Sequence, residues 1–175
     1  MSEVVVELRY YIINERTLYL EPFLDKRYNR VFTRVVEIDK VCIVQDRPFD
    51  VILHSFKASK LVYSNVYRQA RKALQSDKLL PIVLSVEMPM TLFPIRDLTL
   101  VGQHMYFVNE QILKVLKGYK GSEIHFVGTD KVCKLPSLQA AVIRQRFRSY
   151  QIYGTLLVKE HQRKKLEELE KIILG

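Results

Sequence analysis

The chain has 175 residues but no tryptophan, only two cysteines and only six glycines, and each scarcity excludes a class of chemistry. The glycines form neither a G-x-G-x-x-G nor a Walker pattern, so there is no glycine-rich loop to cradle a phosphate. Cys42 and Cys133 stand far apart, each inside an apolar strand-like run. That placement suits reduced core thiols and provides neither a disulfide framework nor a paired zinc spacing. His54, His104, His125 and His161 are scattered, and none has the i, i+4 partner of a helical metal site. No apolar run reaches the ~18 residues of a membrane span. The start, "MSEVVVELRYYII", is acidic before its apolar run and lacks the basic region and small-residue cleavage site of a signal peptide. A cytoplasmic protein with no membrane partner, no metal and no cofactor is expected.

The scarcity that carries most information is local. Residues 131–159 contain six bases and no acid, and residues 56–86 contain six bases and one acid, whereas the remaining segments are close to neutral. The net charge of +9 is thus confined to two stretches, a distribution expected of a surface that binds a polyanion. A hydrophobic fraction of 48% and a charged fraction of 27% are those of a folded globular chain.

The first half reads as β. "VVVELRYYII" (4–13) and "TLYLEP" (17–22) are strand-like runs with a hairpin-like interruption at Asn14-Glu15-Arg16. "NRVFTRVVEID" (29–39) and "VCIV" (41–44) suggest a second hairpin, and "FDVILHSF" (49–56) a further strand. The period then changes. In "SNVYRQARKALQ" (64–75), Val66, Ala70, Ala73 and Leu74 fall at helical spacing with Arg68, Arg71 and Lys72 opposite, and Ser64 or Asn65 can serve as N-cap. Strands resume at 81–88, 90–95, 104–108, 122–128 and 131–136, with a turn at Gly128-Thr129-Asp130, while "NEQILKVLKGYKG" (109–121) reads as a short helix ended by Gly118 and Gly121.

The segment after Ser137 poses a geometric question, because "VIRQRFRSYQ" (142–151) spaces Arg144, Arg146 and Arg148 by two. Strand alternation fails. Ala140, Ile143, Phe147 and Tyr150 instead form a stripe at helical spacing, and Gly154 marks a stop. The stripe reads as a buried face, with base stacking or wedge insertion by Phe147 and Tyr150 as the alternative, which leaves Arg144 and Arg148 as neighbours one turn apart and Arg146 on another side as a structural or solvent-facing residue. "EHQRKKLEELEKIILG" reads as a second helix with a Leu166, Leu169, Ile173 stripe. The expected architecture is α+β, a mainly antiparallel sheet with a basic central helix and two C-terminal helices. Residues 1–158 form one domain and 159–175 a helix for docking or oligomerisation.

No catalytic constellation emerges, so a binding protein is expected in place of an enzyme. The candidate phosphate-contacting residues are Lys57, Lys60, Arg68, Arg71, Lys72, Lys131, Lys134, Arg144 and Arg148, since guanidinium forks suit phosphate oxygens and narrow minor grooves. An RNA-binding module, suggested by the interleaved tyrosines, and a nuclease built on scattered carboxylates are the competing readings.

Three blocks resemble the ComK-type competence transcription factors of Gram-positive bacteria: "YYIINERTLYLEP", "PIVLSVEMPMTLFP" (81–94), and "EIHFVGTDKVCKLPS" (123–137) followed by "VIR". Arg71-Lys72 resembles the family's Gly-Arg-Lys block with Ala70 in the glycine's place. The family's Cys-x-Trp element is missing, and its proline-containing C-terminal segment is not evident in "LLVKEHQRKKLEELEK", so capture by an adaptor and protease is not carried over. The resemblance implies a sequence-specific DNA-binding activator of DNA-uptake genes. Such a factor acts on A/T-rich boxes of double-stranded DNA through the minor groove, as a homodimer or higher assembly.

Overall fold

Residues 4–174 are described by a computed structural model, and they build two sheets and three helices. The strands β1 (Val4–Leu8), β2 (Thr17–Asp25), β3 (Arg30–Glu37) and β4 (Lys40–Val44) come first. They are followed by the helices α1 (Pro48–Ala58) and α2 (Tyr63–Leu74) and the strands β5 (Ile82–Ser85), β6 (Met90–Arg96) and β7 (His104–Val108). All seven strands join one sheet of order β1-β4-β3-β2-β7-β6-β5. β8 (Ile112–Gly118), β9 (Gly121–Phe126) and β10 (Val132–Leu135) form a separate three-stranded sheet, and α3 (Gln139–Leu174) ends the chain. Every pairing is antiparallel except that of β1 with β4. The fold is therefore the expected α+β class with a mainly antiparallel sheet.

The layers follow from strands that are buried on both faces. Along β6 and β7, Leu92, Tyr106 and Val108 enter one core while Phe93, Ile95, Met105 and Phe107 enter the other, as the two-residue period of a strand requires. The first core is closed by α1, through Val51, Ile52 and Phe56, and by Tyr63 and Val66 of α2. The second is closed by the small sheet, through Ile112, Ile124, Phe126, Cys133 and Leu135, and by Val142 of α3. At the β5 edge α2 meets α3 in a third cluster, where Ala70, Leu80, Val83 and Ile152 are buried together. Cys42 and Cys133 are free and buried. Among the described residues no helix is long and apolar enough to cross a membrane.

Five local expectations are corrected. β1 pairs with β4 and not with β2, so 14–16 is no hairpin turn. Residues 49–56 are helix α1, because Val51, Ile52, Ser55 and Phe56 bury one helical face where a strand would alternate. Residues 109–121 give a single 3-10 turn and then β8, which pairs with β9. Gly118 and Gly121 thus close a hairpin and cap no helix, and a Cβ at Gly121 would collide with the Leu135 carbonyl of β10. α2 begins at Tyr63 with no side-chain cap, which places Ser64 and Asn65 inside it. Finally, α3 runs unbroken through Gly154, so the two expected C-terminal helices are one helix of 36 residues, about 54 Å long.

Candidate nucleic-acid interface

Helix α2 has a mean composition too polar for a core helix, yet one narrow side of it is apolar enough to fix its roll. Ala70 is buried with Tyr67, Ala73 and Leu74 packed around it, against Leu80, Val83 and Ile152. Arg68, Arg71 and Lys72 are thereby turned to solvent. Gln75 ends the helix in the left-handed region (φ 48°), and the Arg71 carbonyl accepts from the backbone N–H of Gln75 and of Ser76. Two bases in a last turn also complement the helix dipole, a stabilising role that needs no ligand. Together Arg68, Arg71, Lys72, Gln75, Ser76 and Asp77 line a shallow depression of about 530 Å³. No described carboxylate lies within ion-pair distance of Arg68, Arg71, Lys72 or Arg144.

The second basic segment meets the first at Ser76. The Arg148 guanidinium donates to the carbonyls of Lys78 (2.9 Å) and Leu79 (3.1 Å), to Gln145 Oε1 (2.8 Å) and to Ser76 Oγ (3.4 Å). Burial, and then the like charge of Arg144, lowers its pKa from the usual arginine value. Arg148 is therefore committed to the 76–79 loop, and Arg144 is the exposed member of the pair. Arg146 has a structural role on the other side. It donates to Asn109 Oδ1 (3.1 Å), the Ile112 carbonyl (3.2 Å) and the Tyr150 hydroxyl (3.0 Å).

The roll of α3 is the main surprise of this region. Its buried side consists of Val142, Gln145, Ser149 and Ile152, while Ala140, Ile143, Phe147 and Tyr150, the stripe expected to face the core, are exposed. Two polar residues can face inward because both are satisfied: Gln145 Nε2 donates to the Leu79 and Pro94 carbonyls, and Ser149 Oγ to the Gln145 carbonyl. Phe147, at 74% exposure, has no ring or cation contact among the described residues.

The remaining candidates are not in this region. Lys57 lies in the last turn of α1, and Lys60 in the connection that leads into α2. Both are exposed, and neither lines the depression formed by α2 and the 75–77 turn. Lys131 donates to the Glu37 and Lys40 carbonyls, fastening the small sheet to the β3–β4 hairpin. Lys134 lies 3.8 Å from Glu123 on β10, the edge of the small sheet away from β8 and α3. The structure thus connects Arg68, Arg71 and Lys72 to Arg148 through Ser76, with Arg144 one helical turn from Arg148, and places Lys57, Lys60, Lys131 and Lys134 outside that cluster. Ser76 as the junction was not foreseen from sequence, and Phe147 is exposed where a core role was the preferred expectation; the polar Gln145 and Ser149 at helical spacing with Val142 and Ile152 were the available signal.

Among the described residues no group of three His, Cys, Asp or Glu side chains could hold a metal ion. In comparisons with known proteins, the family model described as ComK protein matches residues 8–157. No curated protein and no solved structure matches the chain.

Proposed function

The chain belongs to the ComK family of competence transcription factors, and from that premise we propose that it is a cytoplasmic, sequence-specific DNA-binding activator of DNA-uptake genes, reading A/T-rich boxes through the minor groove, and not an enzyme. The observation that supports this reading is the cluster of bases at the C-terminal end of α2, joined through Ser76 to Arg148 of α3. There Arg68, Arg71 and Lys72 outnumber Asp77 in lining one depression and none of them is ion-paired among the described residues, and Ser76 links that depression to Arg148, one helical turn from Arg144. Unpaired guanidiniums on rigid helices are suited to phosphate oxygens and to the enhanced negative potential of narrow A/T minor grooves. Assembly as a homodimer on DNA is supported by the distal half of α3, where Leu166, Leu169 and Ile173 are all exposed.

Gel-shift titration on A/T-rich and G/C-rich duplexes at several salt concentrations tests the reading. Tighter binding to the A/T duplex at every salt concentration is expected. Equal affinities with only a steep salt slope would reduce the activity to non-specific polyanion binding, and preference for single-stranded RNA in competition would replace it with RNA recognition.

A further inference from the structure

The exposed side of α3 is an apolar ridge between two basic flanks. Gln139 Nε2 donates to the Val115 carbonyl (2.8 Å) and Arg146 to the Ile112 carbonyl, which bolts one side of the helix to the free edge of β8. Gln145 and Arg148 bolt the other side to the 78–79 loop. Between these fastenings Ile143, Phe147 and Tyr150 face solvent. Tyr150 is itself held, with the Arg146 guanidinium 5.8 Å from its ring centroid and bonded to its hydroxyl. Phe147 is the unheld member, a large apolar ring on a helix that cannot roll. On one side of it stands the exposed Arg144, and on the other Arg146, whose charge is held in place by Asn109, the Ile112 carbonyl and Tyr150; Lys114, also exposed, belongs to the β8 strand to which that side is fastened.

We propose that Phe147 is a wedge that inserts between base pairs of bound duplex DNA while the two basic flanks lie along the phosphate rows on either side of the minor groove. The proposal rests on the DNA-binding reading given above and adds to it a residue and a deformation. Charge selects the occupant. A second copy of this ridge would set Arg144 and Arg146 against other bases, because α3 carries no acid before Glu160 and Asp77 is the one carboxylate in the neighbouring depression, whereas duplex DNA presents two anionic rows about 6 Å apart across its minor groove. Apolar side chains inserted from that groove unstack a base step and kink the duplex by about 20–90°. A/T-rich boxes containing TA steps yield most readily to such insertion.

The chain has no tryptophan, so Phe147→Trp supplies a single indole reporter at the ridge. Two measurements on the full chain are combined: quenching of that indole by an A/T-rich duplex, and the emission of 2-aminopurine placed in the box when the unmodified chain binds. The expected result is indole quenching together with a rise in 2-aminopurine emission. Phe147→Ala should abolish the rise and weaken binding about 5- to 150-fold, the loss of one stacked base contact, with an unchanged salt slope. Arg71→Ala should do the reverse, flattening the salt slope and keeping the emission change in the bound complex. If the chain binds the duplex but 2-aminopurine stays dark and Phe147→Ala binds as tightly, the wedge is overturned and the DNA-binding reading stands. If the unmodified chain binds no duplex, that reading fails first and the wedge falls with it.

Discussion

Replacing Arg148 separates an arginine that holds the fold from those proposed to contact DNA. Its guanidinium makes four hydrogen bonds of 2.8–3.4 Å, three of them to the 76–79 loop that carries Ser76. A bond from a charged donor is worth roughly 1.5–3 kcal/mol, but four bonds from one partly exposed group do not add, and the freed carbonyls of Lys78 and Leu79 regain water or keep Gln145. Arg148→Ala is therefore expected to cost about 2–3 kcal/mol of stability. In a chain of this length that corresponds to a fall in Tm of roughly 5–10 °C. Arg148→Lys should recover less than half of the loss, because an ammonium cannot span carbonyls and an amide oxygen that a planar fork reaches together. Urea unfolding followed by far-UV circular dichroism measures both. Arg144→Ala, with no partner to lose, should stay within about 0.5 kcal/mol of the parent while lowering DNA affinity. The reasoning is refuted if Arg148→Ala unfolds at the parental urea concentration yet loses as much DNA affinity as Arg144→Ala, since its guanidinium would then be serving phosphate and not the loop.

Ile152, fully buried between α2 and α3, should cost about 2–5 kcal/mol as alanine, and a near-parental urea midpoint would mean that the two helices do not pack as described. Gly154 lies inside α3 with open space where a Cβ would stand, so Gly154→Ala should raise stability by about 1 kcal/mol; a lower Tm would show that the glycine is needed there. Asp25 accepts from the Arg27 guanidinium (2.9 Å) and from the Arg27 and Tyr28 backbone N–H groups, which hold its pKa below the usual carboxylate value. Its contribution is therefore complete above the unfolded carboxylate range near pH 4 and is lost as pH falls through the depressed folded value. Asp25→Asn should flatten the acid limb of a stability–pH curve, and superimposable limbs would remove Asp25 from the account. Arg71→Ala and Lys72→Ala should each lower the salt slope of DNA binding by about one, and an unchanged slope would take α2 off the phosphate path.

Much of the architecture was legible because the strands of the large sheet are long enough and apolar enough to announce themselves. β6 and β7 read as continuous apolar runs because both faces are covered, and the β9–β10 hairpin was marked by Gly128, whose φ of 70° the turn requires. The failures occurred where short runs fit both periods. "FDVILHSF" contains the Val51, Ile52, Ser55, Phe56 face of a helix inside a β-branched run, and "QILKVLKG" became a strand because β9 was available to pair with it. Tertiary pairing decides such cases, and one-dimensional pattern cannot.

The roll of α3 was illegible for a more specific reason, which also bears on function. A hydrophobic stripe predicts the buried side only when the polar side has nowhere to bond inside. Here the Leu79 and Pro94 carbonyls face α3, and Pro94, whose ring removes its own N–H, sits in β6 beyond the last β5 pairing at Ile82 and Leu92. That strand edge needs a donor, and Gln145 supplies it. With Gln145 and Ser149 drawn inward, helical spacing forces Ile143, Phe147 and Tyr150 outward. Burying the apolar stripe instead would have left the Pro94 carbonyl without its donor, at a cost of about 1–3 kcal/mol. Folding thus accounts for why Gln145 faces in. It does not account for a phenylalanine at position 147, where any helix-forming polar residue would satisfy the fold equally and expose less apolar surface. An exposed ring at that position fits the wedge proposed above, and the excess of base over acid beside it, where Asp77 is the one carboxylate lining the neighbouring depression, favours a polyanion as the partner.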